Sequence, residues 1–412
     1  MNDIGLALFA YCRPELLRRV IESIRNNNFK KLYIFQDGLK NENDRILWEK
    51  VNHIICEIDF IETELHISET NKGLANSLIS GIEYVLERHE TVIALEDDVV
   101  LGNGYSEYME QCFEKYRYNS DVTCIAGGGW PVDIPESYQY DVFFSYRSSS
   151  IAWGTWRDRW QNYKRDYTLF ASINRDKDKK AILERSGKDI GHIMEAQVLG
   201  KCDSWALFWT LMQINQKGVC VIPTRYLAQD IGHDGTHGTN STIKTTRYDT
   251  VLYNKPDRKM KLPDNIIIVD SIIDQIDMIL SLPSKAERLE TYNNILYKWI
   301  FCLYNNKKIS TYFKKNNINS VYIYGLTDIA KLLVQQLPLE NIKVNGILVL
   351  CKDKDEFCGY PVYDFSDNID IANEPIIVTP VYDMKYIKYS MNKRFNAQRL
   401  INVEELIDNI IN

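Results

Sequence analysis

The N-terminal quarter of the chain alternates short apolar runs with amphipathic stretches. Ile4 to Ala10 is apolar throughout apart from Gly5, the pattern of a strand covered on both faces. Arg13-Pro14-Glu15 then opens a helix, with Pro in the first turn where its missing N–H costs nothing. Leu16, Leu17, Val20, Ile21 and Ile24 recur at helical spacing as its buried stripe. A second strand, Leu32 to Phe35, ends in Gln36-Asp37-Gly38. A helix over Asn41 to Ile55, an extended piece at Leu65-His66-Ile67 and a helix over Gly73 to Arg88 follow. The next strand, Val92 to Leu95, runs straight into Glu96-Asp97-Asp98. Strands alternating with helices in this way predict a mostly parallel sheet with right-handed crossovers.

Further on, Tyr105 to Tyr116 reads as a helix and Asp121 to Ala126 as a strand, followed by Gly127-Gly128-Gly129. Phe143 to Trp160 is rich in aromatics, and Asp203 to Trp209 is a second aromatic segment that opens a helix. Ile231 to Thr239 is a loop by composition, and Lys244 to Leu262 is polar and irregular. Ser281 to Leu303 is helical by pattern. A new α/β start then appears: strand Ser320 to Tyr324, helix Thr327 to Leu337, and strands at Val344 to Val349 and Pro375 to Val378. The expected organisation is an α/β domain over residues 1–245, an irregular and helical region over 246–315, and a smaller Rossmann-like α/β domain over 316–412. This last unit lacks Gly-x-Gly-x-x-Gly, since only Gly325 follows its first strand, so no NAD is expected there. A role in oligomer assembly or partner docking is the expectation for it.

Composition narrows the class. A chain of 412 residues exceeds what one core usually supports, and 45% hydrophobic with 25% charged residues is ordinary for a globular protein. The net charge of -7 speaks against nucleic acid as a partner. No run of roughly 18 apolar residues predicts a transmembrane helix, and Met1-Asn2-Asp3 lacks the basic start of an export signal. The 9 cysteines form no CxxC pair, which fits reduced thiols and a cytoplasmic location. Peripheral association with the inner face of a membrane stays open, although Lys307-Lys308 and Lys314-Lys315 are too sparse to define a polybasic anchor.

The acidic triplet is the first candidate for chemistry. Like charges at a strand end repel unless water or a cation offsets them, and open α/β sheets bind ligands at the C-terminal edge of their strands. A solvated acidic turn and a hard-metal and nucleotide site both fit these residues. Under the second reading Mn2+ or Mg2+ is held by one or two carboxylates, with phosphates and water completing the shell. Adjacent side chains in an extended stretch point apart, so one of Asp97 and Asp98 takes the metal and the other a ribose or sugar hydroxyl. Two earlier strand ends feed the same edge: Tyr11-Cys12-Arg13, with a guanidinium suited to phosphate or base, and Gln36-Asp37, whose carboxylate can accept from a base N–H. Taken singly, Arg13 also suits a solvated helix start and Asp37-Gly38 a plain turn.

Together these segments resemble a GT-A-fold nucleotide-sugar glycosyltransferase. The nearest patterns are the inverting N-acetylglucosaminyltransferase of N-glycan branching and bacterial surface-polysaccharide transferases. The likeness lies in Tyr11-Cys12-Arg13, Gln36-Asp37, Glu96-Asp97-Asp98, Ala152-Trp153-Gly154-Thr155-Trp156, Cys202-Asp203-Ser204-Trp205 and Gly232 to Gly238, and spans about the first 245 residues. It implies that Asp37 contacts uracil, that Asp98 carries the metal, and that Glu96 and Asp97 line the donor. It implies Asp203 as catalytic base, although the family's Trp-Asp-Asp-Trp is matched here only in its first Asp and last Trp. His237 is implied at the diphosphate or metal, with His233 as the competing candidate. Trp153, Gly154 and Trp205 are implied at the sugar or acceptor, with core packing as the other use of such aromatics. Asn71 to Ser77 resembles a donor-binding turn of bacterial members, with Asn76 as its contact and ordinary helix capping as the alternative.

The activity implied is metal-dependent, inverting transfer from UDP-N-acetylglucosamine or another UDP-hexose to a glycan, glycoprotein or lipid-linked acceptor. A sugar-nucleotide nucleotidyltransferase is the second enzyme class, but Phe9 to Pro14 lacks the Gly-rich loop it would need. A non-catalytic nucleotide or carbohydrate binder is the third reading.

Overall fold

A computed structural model describes residues 4–232, 250–254, 259–281 and 285–349. Between 354 and 411 it describes all but 365–366, 368, 370, 372–373, 382–383, 385–386, 389–390 and 393–398. The chain divides into two compact units, Met1–Leu280 and Ser281–Asn412.

Strands β1 (Ile4–Ala10), β2 (Lys31–Gln36), β3 (Glu62–Ile67) and β4 (Thr91–Glu96) pair in parallel and form half of an eight-stranded sheet. The helices between them are α1 (Pro14–Arg25), α2 (Arg45–Cys56) and α3 (Leu74–Leu86). Alternation along β1 sends Leu6 and Leu8 into one core with Leu17, Val20 and Ile24 of α1 and Val51 and Ile54 of α2. Ala7 and Phe9 enter the opposite core with Leu78, Ile82 and Val85 of α3. Both faces of β1 are covered, which is why it reads as an apolar run.

After β4 the chain makes a short strand β5 (Val99–Leu101) and helix α4 (Tyr105–Tyr116), then β6 (Val122–Ala126), β7 (Val142–Ser145), β8 (Trp153–Trp156), β9 (Val219–Pro223) and β10 (Ala228–Asp230). The large sheet runs β3-β2-β1-β4-β8-β6-β9-β7, with β8 antiparallel to both β4 and β6, while β5 and β10 form a separate antiparallel pair. The C-terminal ends of β1, β2 and β4 therefore open on one edge, and three of the candidate motifs leave the sheet there.

The aromatic stretch from Phe143 to Trp160 contains two strands, β7 and β8. β7 and β8 are buried at every position, so no alternation betrays them in the sequence. Trp153 stacks on Trp205 at 4.9 Å and lies beside Trp160 and Trp209, forming an indole layer within the core. The helix expected over Ser281 to Leu303 is present as Lys285–Tyr304, and a further helix, Asp270–Leu280, precedes it. Ile272, Ile276 and Leu280 pack into the first unit, and Ile295, Trp299 and Cys302 into the second.

The second unit is a six-stranded sheet in the order β13-β14-β12-β11-β15-β16. Its strands are β11 (Ser320–Tyr324), β12 (Lys343–Leu348), β13 (Glu356–Phe357), β14 (Tyr360–Tyr363), β15 (Ile376–Val378) and β16 (Leu400–Asn402), all parallel except the β13–β14 hairpin. Thr327 caps the following helix by accepting from the Ala330 N–H at 3.1 Å. Gly325 has φ +99°, and a methyl there would meet Pro380 and Thr379, so the turn after β11 is filled by the chain itself. The whole is a mixed α/β fold: a large, mostly parallel sheet flanked by helices, with a second, smaller α/β domain.

Candidate active site

A cleft of about 1190 Å³ lies at the C-terminal edge of β1, β2 and β4. Arg13, Asp37, Glu96, Asp97, Asp98, Asp203 and Trp205, all named from the sequence, line it. Glu96 closes β4, and Asp97 and Asp98 make the turn into β5. The two aspartates diverge: Asp97 accepts the Tyr11 backbone N–H at 3.0 Å, while Asp98 pairs with the Arg13 guanidinium. Pairing of β5 with β10 places Asp230 opposite Val99, and Ile231 donates its N–H to the Asp98 carbonyl at 2.8 Å. A fourth carboxylate, Asp230, thus joins the triplet at the cleft surface. Nothing around Asp230 in the sequence marks it; only strand pairing could have found it.

This charge is poorly compensated. Burial, then repulsion from Asp98, Asp97 and Asp230, pushes Glu96 up to about 8. Burial and then Asp98 push Asp97 up to about 7, against the Tyr11 N–H and Arg13. Asp98 is raised by burial and by Asp230, opposed by Arg13. Among the described residues no three side chains already converge as a finished metal cage. The donor set nevertheless fits a hard divalent cation, because it offers carboxylate oxygens in excess of positive charge, with ligand phosphates and water able to complete the shell. A backbone cradle faces the same atoms: a methyl on Gly232 would strike the Asp98 carboxylate and approach Arg13 to 3.1 Å. Gly232→Ala is therefore expected to weaken divalent-metal-dependent ligand binding about tenfold or more while leaving the melting temperature unchanged. Calorimetric titration beside a thermal melt checks both halves.

Asp37 is committed elsewhere. Its carboxylate accepts from the N–H groups of Gly38, Lys72 and Gly73, each at 2.9 Å, and from the Asn71 side chain at 3.1 Å. A carboxylate has about four lone-pair sites, so Asp37 ties β2 to the Asn71–Gly73 turn and keeps little capacity for a base. Asp37→Ala leaves one buried donor and three part-buried donors without their acceptor and should cost about 3 kcal/mol of stability by chemical denaturation. Asn76, expected at the donor, lies on the exposed flank of α3 outside the cleft lining, and its amide donates to the Lys72 carbonyl at 2.9 Å. Asn71, Gly73, Leu74 and Ser77 of the same segment do line the cleft. Beside them Tyr11 donates to Asp44 at 2.8 Å and accepts the Lys40 N–H at 2.9 Å, and burial pushes its phenol up to about 12.

On the other side, Asp203 precedes the helix Trp205–Asn215. Ser204 caps that helix by accepting the Leu207 N–H at 3.2 Å, and Gln197 fixes the Ser204 N–H at 2.8 Å. Asp203 is half exposed and ion-paired to Arg165, which also reaches the Asn76 side chain at 3.4 Å. Trp205 lines the cleft, but Trp153 and Gly154 do not. Both are buried in β8, where a methyl on Gly154 would strike the Val92 carbonyl and Phe113, so they act as core and as backing for Trp205. Asp189, His192 and Ile193, on the helix Asp189–Val198, complete this wall, with Asp189 held by both Arg147 nitrogens at 3.1 and 2.9 Å. Neither His237 nor His233 falls within the described residues. The eight described cysteines are free.

No family model and no curated protein matches this chain. Among solved structures it is similar to S. aureus TarS 1-349, with a TM-score of 0.32 and 9% identity over 57% of this chain and 61% of that one. It is also similar to the mannosyltransferase PcManGT from Pyrobaculum calidifontis in complex with GDP-Man and Mn2+, with a TM-score of 0.31 and 8% identity over 52% and 70% of the two chains. The chain thus spans about three-fifths of the TarS 1-349 structure.

Proposed function

We propose that this protein is a metal-dependent, inverting glycosyltransferase. It would transfer a sugar from a nucleotide-sugar donor, UDP-N-acetylglucosamine or another UDP-hexose, to a hydroxyl of a glycan, glycoprotein or lipid-linked acceptor in bacterial surface-glycan assembly. The observation that carries the reading is the gathering of Arg13, Glu96, Asp97, Asp98 and Asp230 at one sheet edge, in a cleft that also contains Asp203 and Trp205. Excess buried carboxylate suits a hard cation, and a cation with a guanidinium suits a diphosphate.

In this reading Asp98 and Asp230 hold Mn2+ or Mg2+, with Glu96 and Asp97 lining the donor beside them. The bound ion supplies Lewis-acid neutralisation of the departing diphosphate. Arg13, which pairs with Asp98, would offer its guanidinium to the diphosphate at the same edge. Asp203, held at the cleft wall by Arg165 through one carboxylate oxygen, accepts the proton of the acceptor hydroxyl as that oxygen bonds to the anomeric carbon. The bond from the anomeric carbon to the phosphate oxygen breaks with its electron pair on the nucleoside diphosphate, so the configuration inverts. Trp205, braced by Trp153, offers an apolar face to a sugar.

The non-catalytic reading draws on one observation, the ion pair that occupies Asp203. Titration of UDP and a panel of UDP-sugars with and without Mn2+, followed by release of UDP from the tightest donor, tests both. Metal-dependent binding with turnover is expected. Binding without turnover would leave a binder, and no UDP binding in the presence of metal would remove the UDP-transferase reading.

A further inference from the structure

A base bound at this sheet edge finds no free acceptor in Asp37, whose carboxylate already takes four donors of its own turn. Tyr11 leads to another. Its backbone N–H is held by Asp97 beyond β4, while its phenol donates to Asp44 at 2.8 Å and accepts the Lys40 N–H at 2.9 Å, both beyond β2. Tyr11 thus bridges the edge from β4 across β1 to β2, the order in which those strands pair. Neighbouring strands lie about 4.8 Å apart, so the bridge covers roughly 10 Å. That leaves room for a ribose between a diphosphate at the triplet and its base beside β2.

Asp44 stands where an aspartate usually caps a helix. It precedes α2, yet its carboxylate accepts none of that helix's N–H groups, and it lines the cleft. Trp48, one turn on, donates to the Asp37 carbonyl at 2.7 Å, and its own carbonyl accepts the Gln36 amide at 3.0 Å, which fixes α2 against β2. The two donors on Asp44, the Tyr11 hydroxyl and the Asn41 amide, both lie at 2.8 Å and end on one oxygen, Oδ2. Among the described residues no donor reaches Oδ1. A carboxylate oxygen has about two lone-pair sites, so Oδ2 is filled and Oδ1 is left to accept.

We propose that Asp44 is the residue that reads the nucleobase, accepting through Oδ1 the single imide N–H of uracil, with Tyr11 and Asn41 holding its carboxylate in place. The inference rests on the reading of the cleft as a nucleotide-sugar site and adds to it the residue that selects the base. Guanine presents two neighbouring donors, N1–H and N2–H, and would need both oxygens. Cytosine and adenine turn a ring-nitrogen lone pair toward the carboxylate where uracil has its N–H, which repels them.

The test is calorimetric titration of the full chain with UDP, GDP and CDP in the presence of Mn2+. The wild type is expected to prefer UDP over the other two by about tenfold or more. Asp44→Asn keeps the shape, but Tyr11 and Asn41 both donate, so the new amide oxygen must take the Oδ2 place and its NH2 the Oδ1 place. A donor then stands where an acceptor stood. UDP should weaken about ten- to a hundredfold, and CDP, with its ring-nitrogen acceptor, should become the tighter ligand of the two. Tyr11→Phe frees one site on Oδ2 and should narrow the gap between GDP and UDP. Both substitutions nearly conserve shape, and unchanged melting curves confirm the fold. A base preference in Asp44→Asn equal to that of the wild type, with Mn2+-dependent binding intact, would overturn the assignment and leave the transferase reading standing. So would a wild-type preference for GDP or CDP. No Mn2+-dependent binding of any of the three nucleotides by the wild type would overturn both.

Discussion

Asp98→Ala is expected to abolish the metal dependence of UDP binding, lowering affinity in the presence of Mn2+ by on the order of a hundredfold or more. Partners that merely orient a metal ligand cost about ten- to a hundredfold when removed, and Asp98 is proposed as a ligand itself. The geometry makes it the centre of the charged edge. Its side chain meets Arg13, its carbonyl receives the Ile231 N–H, and Asp230 and Glu96 both press on it electrostatically. The same crowding predicts the control. Deleting one of several repelling buried carboxylates relieves strain in the ligand-free protein, and Arg13 keeps Asp97 and Glu96 nearby, so the melting temperature should not fall. Calorimetric titration with and without Mn2+ reads the effect. Undiminished Mn2+-dependent binding in Asp98→Ala would move the metal away from the triplet and with it the proposed donor site.

The parallel half of the sheet was legible because β1, β2 and β4 are covered on both faces and each helix on one. Those two conditions write unbroken apolar runs and a 3.6-residue stripe, as at Ile4–Ala10 and Pro14–Arg25. The acidic triplet was legible for the converse reason: it breaks such a run with charge. What stayed hidden depends on pairing distant in sequence. Asp230 reaches the site only through the β5–β10 ladder. β7 and β8 have four residues each, all buried, so length and alternation give no sign of them. Trp153 shows how composition misleads. An aromatic beside glycine is equally a sugar platform or a core layer, and what separates them is whether the other face of the ring meets solvent or, as here, Trp205, Trp160 and Trp209. Asp37 shows the same for charge. Its strand-end position suggested a base contact, yet the turn it closes comes from the start of α3, some 35 residues on.

Asp203→Asn is expected to lower kcat by roughly 100- to 10,000-fold, the usual worth of a positioned general base. The affinity for donor and metal should stay unchanged. Asparagine keeps the shape and the Arg165 contact but cannot take a proton, so a loss confined to turnover reports chemistry rather than folding. The Arg165 pair supplies a second reading of the same group. Arg165 holds the carboxylate at the cleft wall, and displacing a reacting group by an ångström can cost about a hundredfold. Arg165→Ala should therefore lower kcat as well, by less than Asp203→Asn does, with partial rescue by Arg165→Lys. Donor turnover, followed as UDP released, ranks the three enzymes. Asp189, also in the cleft, is a poor substitute because Arg147 occupies both of its oxygens. A normal rate in Asp203→Asn would instead pass the proton to His192, which lines the same cleft. Turnover of His192→Ala then decides between the two.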